Sequence, residues 1–82
     1  MYDKKVLDVF LKNQLQLFPE RVAEGYGDAQ EFLEECFAVV VTGKAEVIEY
    51  FEEEGIDYDA GDILDADEVF DIGDGRYLIV EG

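Results

Sequence analysis

The chain reads as an α+β domain in which N-terminal helices pack with a small three-stranded mixed sheet, order 1-3-2, that ends in a C-terminal β-hairpin. Three observations predict it. An apolar pattern of helical spacing opens the chain; the apolar, valine-rich run Ala38 to Val41 lies between two further helical stretches; and two apolar arms flank Gly73-Asp74-Gly75 near the end. With 82 residues, 49% of them hydrophobic and including six Phe and five Tyr, the chain is expected to form one domain, 1–82. That apolar content is enough for a packed core despite a net charge of −16.

From Asp3 to Phe18 the apolar residues Val6, Leu7, Val9, Phe10, Leu11, Leu15, Leu17 and Phe18 predict the first helix, stopped by Pro19. Its polar side narrows to Lys5, Asp8, Lys12 and Gln16, so apolar side chains cover most of the circumference. Pro19 to Gly27 is a connector. Asp28 and Glu31 then form the Asp-x-x-Glu signature of a helix start, predicting a second helix over about Ala29 to Cys36 with Phe32, Leu33 and Cys36 facing inward. Ala38 to Val41 is the first strand, apolar on both faces. Thr42 as N-cap and Gly55 as stop bound a third helix, which turns Val47, Ile48 and Phe51 inward and Glu46, Glu49, Glu52 and Glu53 to water. A short helical turn around Ile63 and Leu64, opened by Asp59, is expected within residues 57–67.

Glu68 to Ile72 and Arg76 to Val80 are the arms of a hairpin with an Asp-Gly turn. The second arm is apolar on both faces and belongs in the centre of the sheet, which leaves strands 1 and 2 parallel and linked by a helical crossover.

Charge is unevenly distributed. Residues 1–23 carry four Lys/Arg against three Asp/Glu, and residues 24–82 carry two against nineteen. The opening segment is thus +1 and the remainder −17. A surface this acidic repels anionic lipid and nucleic acid, so neither membrane docking nor direct DNA or RNA binding is expected. The longest apolar run, Phe37 to Val41, is far too short to span a bilayer, and no secretory signal is legible at the N terminus. Cys36 is the single cysteine, which excludes an intramolecular disulfide and favours a reducing, cytoplasmic setting.

Residues 57–68 resemble a calcium-binding EF-hand loop, with Asp57, Asp59, Asp65 and Glu68 at positions one, three, nine and twelve and apolar Leu64 at position eight. Positions five and six are Gly61 and Asp62, the reverse of the order that places the third ligand and makes the sharp turn. The segment is therefore read as a solvated, helix-capping loop, with calcium binding as an alternative. Cys36 has no His in the chain to activate it, since there is none, and is read as a small core residue. Gly25-Tyr26-Gly27 and Gly73-Asp74-Gly75 lack the helix, Lys and spacing of phosphate loops and are read as turns. No catalytic group, cofactor or metal is expected.

The segments Glu34 to Val41, Glu46 to Phe51 and Glu68 to Glu81 together resemble the small acidic proteins of gut clostridia, a family of unknown function sometimes labelled glyoxalase. The resemblance covers nearly the whole chain and carries no catalytic motif. Glyoxalases hold a divalent metal through His and Glu in a longer βαβββ module, whereas this chain has no His.

These readings predict a non-enzymatic protein-interaction or regulatory module. An acidic mimic of nucleic acid, inhibiting a basic nucleic-acid-binding protein, is the alternative. On the first helix Leu7, Leu11, Leu15 and Phe18 form one face and Val6, Phe10 and Leu17 another; the second is the expected partner-binding surface, with a homodimer as the economical occupant.

Overall fold

The computed structural model describes residues 2–59 and 61–81. Helix α1 spans Lys4–Asn13, with Asp3 as its N-cap: one carboxylate oxygen accepts the Val6 N–H at 3.0 Å, and the Asp3 carbonyl accepts the Leu7 N–H. A 3₁₀ turn, Gln14–Gln16, continues the helix to Leu17. Helix α2, Tyr26–Glu35, begins three residues before the predicted start. Gly25 is its N-cap and Asp28 is the third helical residue, whose carboxylate reaches back to the Glu24 N–H. The Gly25-Tyr26-Gly27 segment is therefore a helix entrance.

Strand β1 is Val39–Thr42 and helix α3 is Gly43–Glu53. Gly55, at φ 69°, closes α3 in a Schellman motif, with the Ile56 N–H bonded to the Phe51 carbonyl and the Gly55 N–H to that of Glu52. A 3₁₀ turn at Ile63–Asp65 buries Ile63. The hairpin is β2, Val69–Asp71, and β3, Arg76–Ile79, joined through Gly73 and Gly75, both at φ 93°.

The sheet order is β1-β3-β2, as expected, but both ladders are antiparallel, so the sheet is not mixed. β1 and β2 do run in the same direction, with β3 inserted between them. Antiparallel pairing follows because the central position is taken by the returning arm of the hairpin, which opposes both neighbours. Alternation along the strands sorts the core into two layers. On one face Phe70, Ile72, Leu78 and Val80 pack with Val6, Leu7 and Phe10 of α1 and Ala29 and Leu33 of α2. On the other, Val69 and Ile79 pack with Val47 and Phe51 of α3 and with Ile63.

The first face is rich in aromatic pairs. Phe10 stands 5.8 Å from Phe32 and 5.6 Å from Phe70 between ring centroids, and Phe18 meets Phe32 edge-on at 5.3 Å. Val6 and Phe10 are fully buried inside this cluster, and Leu17 is half-buried against it. The predicted partner-binding face of the first helix is therefore closed within the chain. The broad apolar arc of α1 is covered by α2 on one side and by β2 on the other, with Leu17 and Phe18 folding back beside them. Of the row assigned to the core, Leu15 is the one that emerges, 59% exposed.

Three side-chain clips hold the layers in register. Gln14, fully buried, donates to the carbonyls of Leu11 and Ala23 and accepts the N–H groups of Val22 and Ala23, satisfying its whole amide while fixing the connector. Gln16, placed on the water-facing stripe by its spacing, donates to the carbonyls of Asp67 and Val69. Arg76 bonds Asp74 within the hairpin and Asp3 at the α1 N-cap, both at 2.8 Å, and Lys5 approaches Asp74 at 3.6 Å.

Candidate interaction surface

Among the described residues, no three or more Cys, Asp or Glu side chains are arranged to hold a metal ion. In the 57–68 loop the Asp59 carboxylate accepts the Gly61 N–H at 2.9 Å, and the Asp59 carbonyl accepts the Asp62 N–H. Asp59 thus serves the turn that leads into Ile63–Asp65, while Asp57, Asp65 and Glu68 are not gathered around it; position four of the loop lies outside the described residues. Leu64 is half-buried against the α3 face of the core.

Cys36 caps the C-terminal end of α2, half-buried, with its Sγ 3.6 Å from the Leu33 carbonyl. Burial pushes its thiol up, away from the thiolate form that nucleophilic chemistry needs. Tyr50 is likewise raised, by burial first and then by its 2.6 Å hydrogen bond to Glu81. These shifts stabilise neutral, structural forms.

Carboxylates are instead arranged in rows on helix surfaces. On α3, Glu46, Glu49 and Glu53 recur at helical spacing and, with Tyr50, wall a groove of about 280 Å³ whose floor is Val39 and Val41 of β1. On α2, Asp28, Glu31 and Glu35 wall a shallower cleft of about 160 Å³ over Val22 and Phe32. Each combines an apolar floor with an acidic rim. The two clefts belong to helices on opposite faces of the sheet.

The α3 groove runs along the open edge of β1. Gly43 donates its N–H to the Gly75 carbonyl at 2.9 Å, one pair beyond Thr42 and Arg76. The alternation of an antiparallel ladder then turns the backbone groups of Val39 and Val41 toward β3, and those of Ala38, Val40 and Thr42 to the edge. Ala38 is satisfied by the Tyr2 hydroxyl at its carbonyl and by the Leu33 carbonyl at its N–H. The Thr42 N–H bonds the Glu46 carboxylate at 2.8 Å. Val40, 37% exposed, remains between these two caps with both backbone groups directed outward. Two residues before the strand stands Phe37, 83% exposed and at φ 57°. It occupies the left-handed position of a second Schellman motif, in which its N–H bonds the Glu34 carbonyl and that of Ala38 bonds Leu33.

The opposite edge is better closed. On β2 the Val69 carbonyl accepts Gln16 and its N–H bonds Ala66, and the remaining outward residue is the charged Asp71. Sequence reasoning placed β1 at an edge but did not find this asymmetry, because Tyr2, which caps Ala38, and Gln16, which caps Val69, are remote residues with no local signature, although the Glu46 cap on Thr42 is local.

No helix among the described residues is long and apolar enough to cross a membrane. No family model matches this chain, and comparison with curated proteins and with solved structures likewise finds no match.

Proposed function

We propose that this chain is a non-catalytic interaction module that recognises a basic segment of a protein partner, and that it works in the cytoplasm. One observation carries the reading: the acidic charge is not consumed inside the fold. Among the described residues, ion pairs engage only Asp3 and Asp74, while the carboxylate rows of α2 and α3 face solvent beside apolar floors. A Lys or Arg side chain suits such a cleft, since its methylene stem lies on apolar surface and its charged head reaches the rim. Mimicry of a nucleic-acid duplex is less well served, because the two rows lie on opposite faces and a single partner surface meets one at a time.

The test is calorimetric titration with short cationic, neutral and anionic peptides of equal length at low ionic strength. Binding confined to the cationic peptide, weakening as salt rises, is the expected result. Absence of cationic binding overturns the reading. If a captured basic partner is released by duplex DNA as readily as by excess cationic peptide, mimicry replaces it.

A further inference from the structure

We infer that the basic segment binds as an added strand, antiparallel to β1 at Val40, with its cations in the α3 groove. This inference rests on the proposed reading above and gives it a site and a register.

The backbone supplies the first part of the argument. Val40 directs an N–H and a carbonyl to the open edge, and one residue of an antiparallel partner satisfies both. The caps on either side confine this pairing to a short stretch, because Tyr2 holds the Ala38 carbonyl and Glu46 holds the Thr42 N–H. A charged residue, a proline or a remote clip commonly blunts such an edge, and β2 uses a charge and a clip. Val40 has an apolar side chain instead, preceded by the exposed ring of Phe37 in a backbone conformation that L-residues seldom adopt.

Side-chain alternation then fixes the composition of the occupant. Directly opposed residues in a sheet place their side chains on the same face. The residue opposite Val40 lies on the face away from α3, beside Val40, and is apolar. Its two neighbours lie opposite Val39 and Val41, on the α3 face, where those valines floor the groove and Glu46, Glu49 and Glu53 line it. Both neighbours are therefore Lys or Arg. The recognised pattern is basic, apolar, basic in an extended segment. A second copy of this chain is a poorer occupant, since pairing two β1 edges brings the carboxylate rows of two molecules of charge −16 together.

The probe is the end-blocked peptide Gly-Ser-Thr-Lys-Val-Lys-Thr-Ser-Gly, with a twin that is N-methylated at its valine. Methylation removes one edge hydrogen bond and leaves the charge intact. Titration is followed by NMR on the intact chain. The parent peptide is expected to slow hydrogen exchange at the Val40 amide, the methylated twin to bind about tenfold more weakly, and the exposed double variant Glu49→Gln with Glu53→Gln to lose affinity several-fold while staying folded. Equal binding of both peptides overturns strand addition but leaves the basic-partner reading standing. Failure of both peptides to bind defeats both. Protection of Val40 that grows with protein concentration and with salt, without peptide, assigns the edge to a second copy and overturns the inference.

Discussion

Phe37 and Gln14 show how far a single residue departs from what its neighbours in sequence imply. At the left-handed position after α2 a glycine is the expected residue, and α3 has one, Gly55, at the equivalent place. Phe37 takes the conformation with its ring 83% exposed, so little packing offsets the backbone cost. Phe37→Gly is expected to stabilise the domain by about 1 kcal/mol, seen as a higher urea midpoint at unchanged slope. A destabilised variant would show that the ring holds the α2–β1 junction together. Gln14 acts in the other direction. Its side chain serves three backbone groups of the connector and the Leu11 carbonyl of α1 from a fully buried position, so Gln14→Leu should cost about 3 kcal/mol by leaving several of them unpaired. Gln16→Ala, exposed and bonding two carbonyls, should cost about 1 kcal/mol. Thermal unfolding of the two variants checks the ranking. Neither role was legible beforehand, because a glutamine in an amphipathic helix has the same local signature whether it meets water or a loop remote in sequence. Val6 and Phe10 were misplaced for a related reason: both apolar rows of α1 satisfy helical periodicity, and choosing between them requires the positions of α2 and β2. Since Phe10 lies between Phe32 and Phe70, Phe10→Glu should unfold the domain, with loss of near-ultraviolet dichroism.

At the scale of elements the sequence was far more informative. Each helix and strand was visible because its apolar spacing was local, as were the stops at Gly55 after α3 and at Gly73 and Gly75 between the hairpin arms; α1, expected to run to Phe18 before Pro19, instead ends at Asn13 and gives way to the 3₁₀ turn Gln14–Gln16. The central place of β3 followed from a second arm apolar on both faces, and its burial agrees. What local pattern did not contain is the joint between elements. Arg76 joins the hairpin to the start of α1 through Asp74 and Asp3, and the guanidinium pulls the Asp74 carboxyl down to about 2, aided by the Arg76 backbone N–H. Asp3 is lowered as well, first by the Val6 N–H it accepts and then by Arg76. A carboxyl lowered in the folded state contributes stability that is fully present above its unfolded value of about 4 and is lost as pH falls toward the folded one. Asp74→Asn removes the charge from this joint. Its deficit relative to the parent should be constant above about pH 5 and should shrink toward zero near pH 2, as read from urea midpoints in about 0.15 M salt. A deficit independent of pH over that range would mean that the joint holds by hydrogen bonds alone.

For the molecule as a whole, a net charge of −16 is confined within extents of 32 × 25 × 19 Å. The proposed use of that charge, drawing a basic segment to the β1 edge, requires that it stay unneutralised, and the folded state bears the resulting repulsion. Magnitudes of screening decide where the cost is relieved. At about 0.01 M salt the Debye length, about 30 Å, matches the long axis, so carboxylates on α2 and α3 repel one another through the entire molecule. At about 0.1 M it falls to about 10 Å, and only carboxylates of the same helix row still interact. Most of the relief therefore arrives below about 0.1 M, well before salts begin to act on apolar hydration. Sodium chloride is the appropriate salt, since sulfate would strengthen apolar burial and mask the effect. The melting temperature should climb steeply between about 0.01 and 0.1 M and then level off, each kcal/mol of relief appearing as about 4–8 °C in a domain of this size. The peptide affinity at the β1 edge should fall over the same interval, because the field that destabilises the fold is the one that attracts the ligand. A melting temperature unchanged by salt while the affinity falls would show that the repulsion is equally present in the unfolded chain, and that the acidic surface costs the fold nothing.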